Sequence, residues 1–249
     1  MGGQGDPLIV IHGGGSGAHD WAKNLNALCN NFTVYIPDLP GFGDSQPIND
    51  RFHMSQFVEF IGDFTRALNI KRFNLAGHSY GGGIALQYSL NYPENIEKLV
   101  LIDSLFLDRQ IATWIKFFSL PVFCVSLGNV AVASMKALGW LTKKFFSSTK
   151  FVNPFPRVKL DLGKTVSTLK GQSITLLNTL SDLMIPTLVI WGAKDNIVHV
   201  KQAYAAAEVI PDCRLHIFDN CGHNPYQQET EKFSHLLNEF LREKNNRMS

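Results

Sequence analysis

The sequence predicts an α/β chain: a mostly parallel, doubly wound sheet into which a helical cap is inserted. Three observations carry this reading. Short apolar runs alternate with longer amphipathic stretches, the rhythm of parallel strands joined by crossover helices. The rhythm breaks after Asp103-Ser104 and resumes at Thr187, leaving an apolar span rich in Phe, Leu and Ser between them. Glycine-rich turns follow the strands, at the edge where such sheets gather their functional loops.

The elements follow in order. Leu8–His12 (LIVIH) is a buried strand that runs into glycines, and His19–Cys29 a helix with Trp21, Leu25 and Leu28 at helical spacing. Phe32–Ile36 is the second strand, stopped by Pro37. Met54–Leu68 places Phe57, Phe60, Ile61, Phe64 and Leu68 on one face, with Ser55 as its candidate cap. Phe73–Ala76 is the third strand, Gly81–Asn91 a helix ended by Pro93, and Leu99–Asp103 the fourth strand. After the break come a strand at Thr187–Trp191, a helix at Val200–Val209, a strand at Arg214–Phe218 and one long helix at Gln227–Lys244. Residues 1–104 and 184–249 therefore read as the core, and 105–183 as an all-helical cap or lid.

Composition narrows the function classes. A chain of 249 residues can bury roughly 70–75% of its unfolded surface and needs no staples. With 23 Lys and Arg against 21 Asp and Glu, the net charge is +2, so no basic stripe is expected to bind nucleic acid. Cys29, Cys124, Cys213 and Cys221 form no CxxC pair and fit neither a disulfide scaffold nor a zinc site. The first residues lack a signal-peptide pattern, so a cytoplasmic location is expected. The stretch 117–135 is nineteen residues long without a charge, about the length that spans a bilayer. Pro121 and Gly128 interrupt it, which favours a buried or lid-forming helical pair over an apolar surface that touches membrane.

The chemistry concentrates in Gly77-His78-Ser79-Tyr80-Gly81, a G-x-S-x-G between a predicted strand and a predicted helix. A serine on so tight a turn needs small neighbours two residues away on each side, and both are glycine. Its hydroxyl is a weak nucleophile until a base takes its proton, and the base needs an orienting carboxylate. Asp195, in Gly192-Ala193-Lys194-Asp195, and His223, in Cys221-Gly222-His223, each follow a predicted strand at its carboxyl end. Asp103 is the rival acid; the WGxxD run favours Asp195. His19, His53, His199, His216 and His235 read as packing or surface residues. His78 adjoins the nucleophile, with its ring expected toward the sheet or the cap. The run His12-Gly13-Gly14-Gly15-Ser16-Gly17 lacks the Lys-Ser/Thr ending of a phosphate loop. Beside GHSYG it reads as an oxyanion loop, partnered by the Tyr80 N–H.

HGGGSGAHDW (12–21), PDLPGFGDS (37–45), GHSYGG (77–82), WGAKDNIV (191–198) and CGHNPYQQ (221–228) resemble the motifs of α/β-hydrolase fold serine hydrolases along nearly the whole chain. The resemblance implies Ser79, Asp195 and His223 as catalytic residues and the Gly14 and Tyr80 N–H groups as oxyanion donors. Around them, His78, Gly13 and Gly15 are expected to meet the substrate. No cofactor and no metal are implied. The first block is most similar to carbon–carbon bond hydrolases that act on meta-cleavage products. Those enzymes typically have Trp where this chain has Asn224, and a cap Arg that neither Arg109 nor Arg157 clearly supplies. The expectation is therefore a carboxylesterase acting on a small, largely apolar ester. A carbon–carbon hydrolase and a non-catalytic ligand-binding protein are the alternatives. Serine at the elbow argues against dehalogenases and epoxide hydrolases, which carry Asp there. The fold also ordinarily places two antiparallel strands before the strand that enters the HGGG loop. Seven residues precede Leu8 here, so the sheet is expected to lack that pair and to expose Phe32–Ile36 as an edge open to pairing or dimerisation.

Overall fold

A computed structural model describes residues 1–46, 53–108, 167–168, 171–172 and 175–243. Most of the expected cap, the uncharged stretch 117–135 included, lies outside the described residues. No helix among the described residues is long and apolar enough to cross a membrane.

Six parallel strands form the main sheet: β1 (Asp6–Ile11), β2 (Phe32–Tyr35), β3 (Phe73–His78), β4 (Ile96–Ile102), β7 (Thr187–Gly192) and β8 (Cys213–Phe218). Their order is β2-β1-β3-β4-β7-β8. Alternation along the strands divides the core. Ile9, Ile11, Leu75, Leu101 and Trp191 face one side and Leu8, Val10, Val100, Ile102 and Ile190 the other. Helices α2 (Met54–Ala67), α3 (Tyr80–Asn91) and α4 (Lys201–Val209) cover the first face. Helices α1 (Ala22–Cys29) and α6 (Thr230–Arg242) cover the second. The chain moves outward from β1 in both directions, so a crevice opens between the carboxyl ends of β1 and β3, the switch point where α/β sheets place their sites.

Three local expectations change. The Gln227–Lys244 helix is two pieces, α5 (Pro225–Gln228) and α6, because the backbone leaves helical geometry at Glu229 (φ −126°, ψ 52°). Ser55 does not cap α2: His53 precedes the helix, and its N–H donates to Gln56 Oε1 (3.2 Å). The outer strand β2 is not bare either. Gly2 pairs antiparallel with Val34, donating its N–H (3.1 Å) and accepting one in return (2.8 Å). Glycine makes this return possible, since a Cβ on Gly3 (φ 88°) would lie 2.2 Å from the Phe32 carbonyl oxygen.

The span expected as cap is described only near its ends, and those ends belong to the core. Leu105, Phe106, Leu107, Leu180 and Leu183 are buried in the cluster of the first face. A short antiparallel pair, β5 (Ser167–Thr168) and β6 (Gly171–Gln172), interrupts the expected all-helical character. Gln172 then ties both ends together. Its Oε1 accepts the Phe106 N–H (2.6 Å), and its Nε2 donates to the Asp108 carbonyl (2.6 Å) and to Gln202 Oε1 (3.1 Å). The Asp108 N–H donates to the same Gln202 oxygen (3.0 Å), and the Leu176 N–H to the Phe106 carbonyl (2.7 Å).

A buried lysine fastens the last helix. Lys98 in β4 is 4% exposed, and its ammonium donates to the carbonyls of Phe240, Leu241 and Glu243 beyond the face of the Phe240 ring. It supplies the cation and the donors that a helix carboxyl end lacks. Lys98→Met keeps the aliphatic stem and strands those carbonyls. Urea unfolding of this variant is expected to show a loss of about 2–3 kcal/mol with an unchanged slope.

Candidate active site

Ser79 joins β3 to α3 in a backbone conformation that L-residues rarely adopt, φ 54° and ψ −117°. Hydrogen bonds hold it there. Its N–H donates to the Ile102 carbonyl (2.9 Å), and its carbonyl accepts from the N–H groups of Gly82 (3.0 Å) and Leu105 (3.0 Å). The neighbouring glycines are steric necessities. A Cβ at Gly77 would lie 2.3 Å from the Gly81 oxygen, and one at Gly81 would lie 2.4 Å from the His12 oxygen. Such a turn aims the hydroxyl of Ser79 into the crevice at the end of the sheet.

The structure brings the three expected residues together. His223 Nε2 lies 2.9 Å from Ser79 Oγ, and His223 Nδ1 lies 2.7 Å from Asp195 Oδ2. The other Asp195 oxygen accepts the N–H groups of Ile197 (2.7 Å) and Val198 (3.0 Å), which fixes the carboxylate. Acid and base loops are joined to each other by backbone. The Ala193 N–H donates to the Phe218 carbonyl (3.0 Å) and the Lys194 N–H to the Cys221 carbonyl (2.9 Å). Gly192 permits the approach, because a Cβ there would sit 2.0 Å from the Gly222 oxygen. Behind the base, the Gly222 N–H donates to Oε1 of Gln228 (2.8 Å), the last residue of α5.

His78 lies behind the site, at 4% exposure. Its Nε2 is 2.7 Å from the His223 carbonyl, which can only accept, so Nε2 carries the hydrogen. Its ring packs against His223 and the edge of Tyr226, which stacks on Trp21. His78, expected to meet the substrate, is here bonded to the backbone of His223. Burial, and then the neighbouring His223, hold its pKa well below the usual histidine range. The other ring nitrogen, Nδ1, is buried without a partner and faces Gly13, where a Cβ would lie 2.8 Å away.

The glycine loop after β1 is braced by two side chains. His12 is fully buried; its Nδ1 lies 2.8 Å from the Gly13 carbonyl, and its Nε2 accepts the Leu39 N–H (2.9 Å). Burial lowers its pKa also. Asp38 accepts the Ala18 N–H on one oxygen (2.7 Å) and the Asp44 N–H on the other (3.0 Å), linking the 12–17 loop to the loop after β2. Gly13 is buried against Ser79, while Gly14 and Gly15 are exposed. Tyr80 opens α3, so its N–H has no acceptor within the helix.

This arrangement, a strained serine between β3 and α3 with its base and acid on the last two strand ends, decides the family. The chain belongs to the α/β hydrolase fold family. The family matches residues 6–230. A 2-hydroxymuconate semialdehyde hydrolase of Pseudomonas putida is 26% identical over 260 residues, covering 97% of this chain and 89% of that protein. A 2-hydroxy-6-oxononadienedioate/2-hydroxy-6-oxononatrienedioate hydrolase of a Pseudomonas species is 28% identical over 254 residues, covering 96% and 89%. Among solved structures, a meta-cleavage product hydrolase of Pseudomonas fluorescens superposes with a TM-score of 0.72 at 25% identity, covering 98% of this chain and 93% of that one. A thermophilic esterase of Thermogutta terrifontis shares the fold, with a TM-score of 0.74 at 23% identity and coverage of 97% and 91%.

Site residues outside the motif reading are Asp38, Gln228, Tyr226 and the ring of His12. All lie within recognised motif blocks, but their roles depend on loop-to-loop contacts that spacing does not encode. Among the described residues, the acidic and histidine side chains close enough to share an ion are Asp103, Asp195 and His223. Two of these are committed to the serine relay.

The neutral, buried state of His12 and His78 has a thermodynamic consequence. On unfolding below about pH 6.5 each would gain a proton. The unfolded chain then binds more protons than the folded one, so stability falls with pH, by up to about 1.4 kcal/mol per pH unit for each histidine. Urea midpoints taken from about pH 7.5 down to about pH 5 are expected to decline. The decline should be shallower in His78→Gln, whose amide can still donate to the His223 carbonyl.

Proposed function

We propose that this protein is a serine hydrolase that cleaves carboxylic esters of small to medium, largely apolar substrates through an acyl-enzyme. The observation that carries the reading is the relay itself, 2.9 Å from Ser79 Oγ to His223 and 2.7 Å from His223 to Asp195. His223 Nε2 accepts the hydroxyl proton as Oγ attacks the ester carbonyl. Asp195 holds Nδ1–H, sets the tautomer and stabilises the imidazolium. The N–H groups of Tyr80 and Gly14 receive the oxyanion. His223 then gives its proton to the leaving alkoxide as the carbon–oxygen bond breaks. Water, deprotonated by the same imidazole, releases the acid and restores Ser79.

A second reading is favoured by the curated relatives, whose names are those of carbon–carbon bond hydrolases of ring-fission products. It would use the same serine and base on a vinylogous diketone. Asn224, next to the base, where those hydrolases typically carry Trp, favours the ester.

Ser79→Ala is expected to lower turnover of short p-nitrophenyl esters by about 10⁴-fold or more with an unchanged circular dichroism spectrum. Wild-type turnover in that variant would refute the serine mechanism. A panel of esters of increasing acyl length, with one vinylogous diketone included, separates the two substrate classes. Higher kcat/KM on the diketone than on every ester would establish the second reading. Failure of a fluorophosphonate probe to label Ser79 would instead point to a ligand-binding protein.

A further inference from the structure

The relay leaves one buried acid unused. Asp103 directly follows β4, beside the end of β7 whose following loop carries Asp195, and it is fully buried. Its backbone is in the left-handed region at φ 43°, a conformation that Asp tolerates better than most residues but that still needs external support. The Asp103 N–H donates to the Ile190 carbonyl (3.0 Å), and its Oδ1 accepts the Gly192 N–H (3.0 Å). Its second oxygen, Oδ2, is buried with no donor. Reactive atoms of Asp103, Asp195 and His223 all lie within 4.8 Å of one another. The other titratable groups acting on this corner are Cys221 and Tyr226, both uncharged as buried thiol and phenol, so no cation is supplied by them. Two ionised carboxylates this close, in a dry corner, would repel strongly. Burial and then Asp195 push the Asp103 carboxyl well above the usual carboxylate range.

We propose that Asp103 is a second acid of this site, sharing one proton with Asp195, and that it takes over as the partner of His223 when Asp195 is lost. This rests on the serine hydrolase reading. In the resting site Asp103 Oδ2–H donates to Asp195, which leaves a single negative charge to face the imidazole. Donation fills the one vacancy of Asp103 and adds a fourth hydrogen bond to Asp195, beside those from Ile197, Val198 and His223. In this state Asp103 is a positioning residue: it fixes the charge and orientation of the acid without touching substrate. Without Asp195, the neighbouring charge is gone, Asp103 ionises, and a small rotation of His223 brings Nδ1 within reach of it.

Two measurements test this. Carbon-13 NMR of aspartate-labelled protein at neutral pH is expected to show one protonated carboxyl, absent from Asp103→Asn. A spectrum in which every aspartate is ionised would overturn the proposal, whatever the enzyme does. The second measurement is the rate at which a fluorophosphonate labels Ser79. Its oxygen bonds to phosphorus, fluoride departs and the hydroxyl proton passes to His223, so the rate reads the relay independently of substrate choice. Asp195→Ala is expected to label within about 100-fold of wild type, and Asp103→Asn/Asp195→Ala about a further 100-fold more slowly. Equal rates in the alanine single and double variants would overturn the reserve role. Asp195→Ser, whose hydroxyl can still accept a backbone N–H, replaces the alanine variant if that one does not fold; the same ordering is expected. A wild-type protein that refuses the probe refutes the hydrolase reading, while the NMR result still decides the carboxyl pair.

Discussion

The backbone at Ser79, held at φ 54° and ψ −117°, is the constraint on which the rest of the site depends. Such a conformation costs about 1–3 kcal/mol and persists only where its surroundings over-determine it. Here they do. Ile102 and Leu105 clamp the residue from the neighbouring strand end, and two glycines let β3, α3 and the end of β1 come together around it. The close approach of Gly81 to the His12 carbonyl brings the glycine loop to the nucleophile. Relaxing the elbow would separate the hydroxyl from its base and the loop from both.

Around this elbow, polar groups are buried in pairs with assigned roles. His12 and His78 each use one ring nitrogen against a carbonyl and remain neutral, so they brace loops without adding charge. Asp195 has its two oxygens divided between backbone donors and His223. The carboxylate of Asp195 is thereby held against the His223 ring by fixed backbone donors, in place of water that would have to reorganise. The joined backbones of the 193–195 and 218–223 loops tie the two side chains' supports to each other.

The order of Ser79, Asp195 and His223 was legible because each lies in a short motif just past an apolar strand, and strand ends of a parallel sheet converge. The strands themselves were legible from their apolar runs, with limits displaced by at most three residues. The functions of His78, Asp38 and Gln228 were not. Each depends on which way a side chain leaves a loop and on what another loop, many residues away, presents to it. The Gly2–Val34 pairing was hidden for a related reason: a Gly-Gly-Gln-Gly segment carries no periodicity, and its backbone alone makes the contact. In the sequence Asp103 reads only as a rival to Asp195. The fold places both in one corner.

The hydrogen bonds of Gln172 and Gln202 bear on more than the local geometry of the ends they tie. With Asp108 and Gln172 held together, the chain between them is a closed loop whose ends the core sees at one point. The entropy of closing such a loop rises only with the logarithm of its length, about 0.6 kcal/mol for each doubling. The sheet is therefore almost indifferent to how many residues the loop contains. Its length and composition can therefore vary at little cost to the sheet, and the scaffold can keep one stability while the inserted residues change.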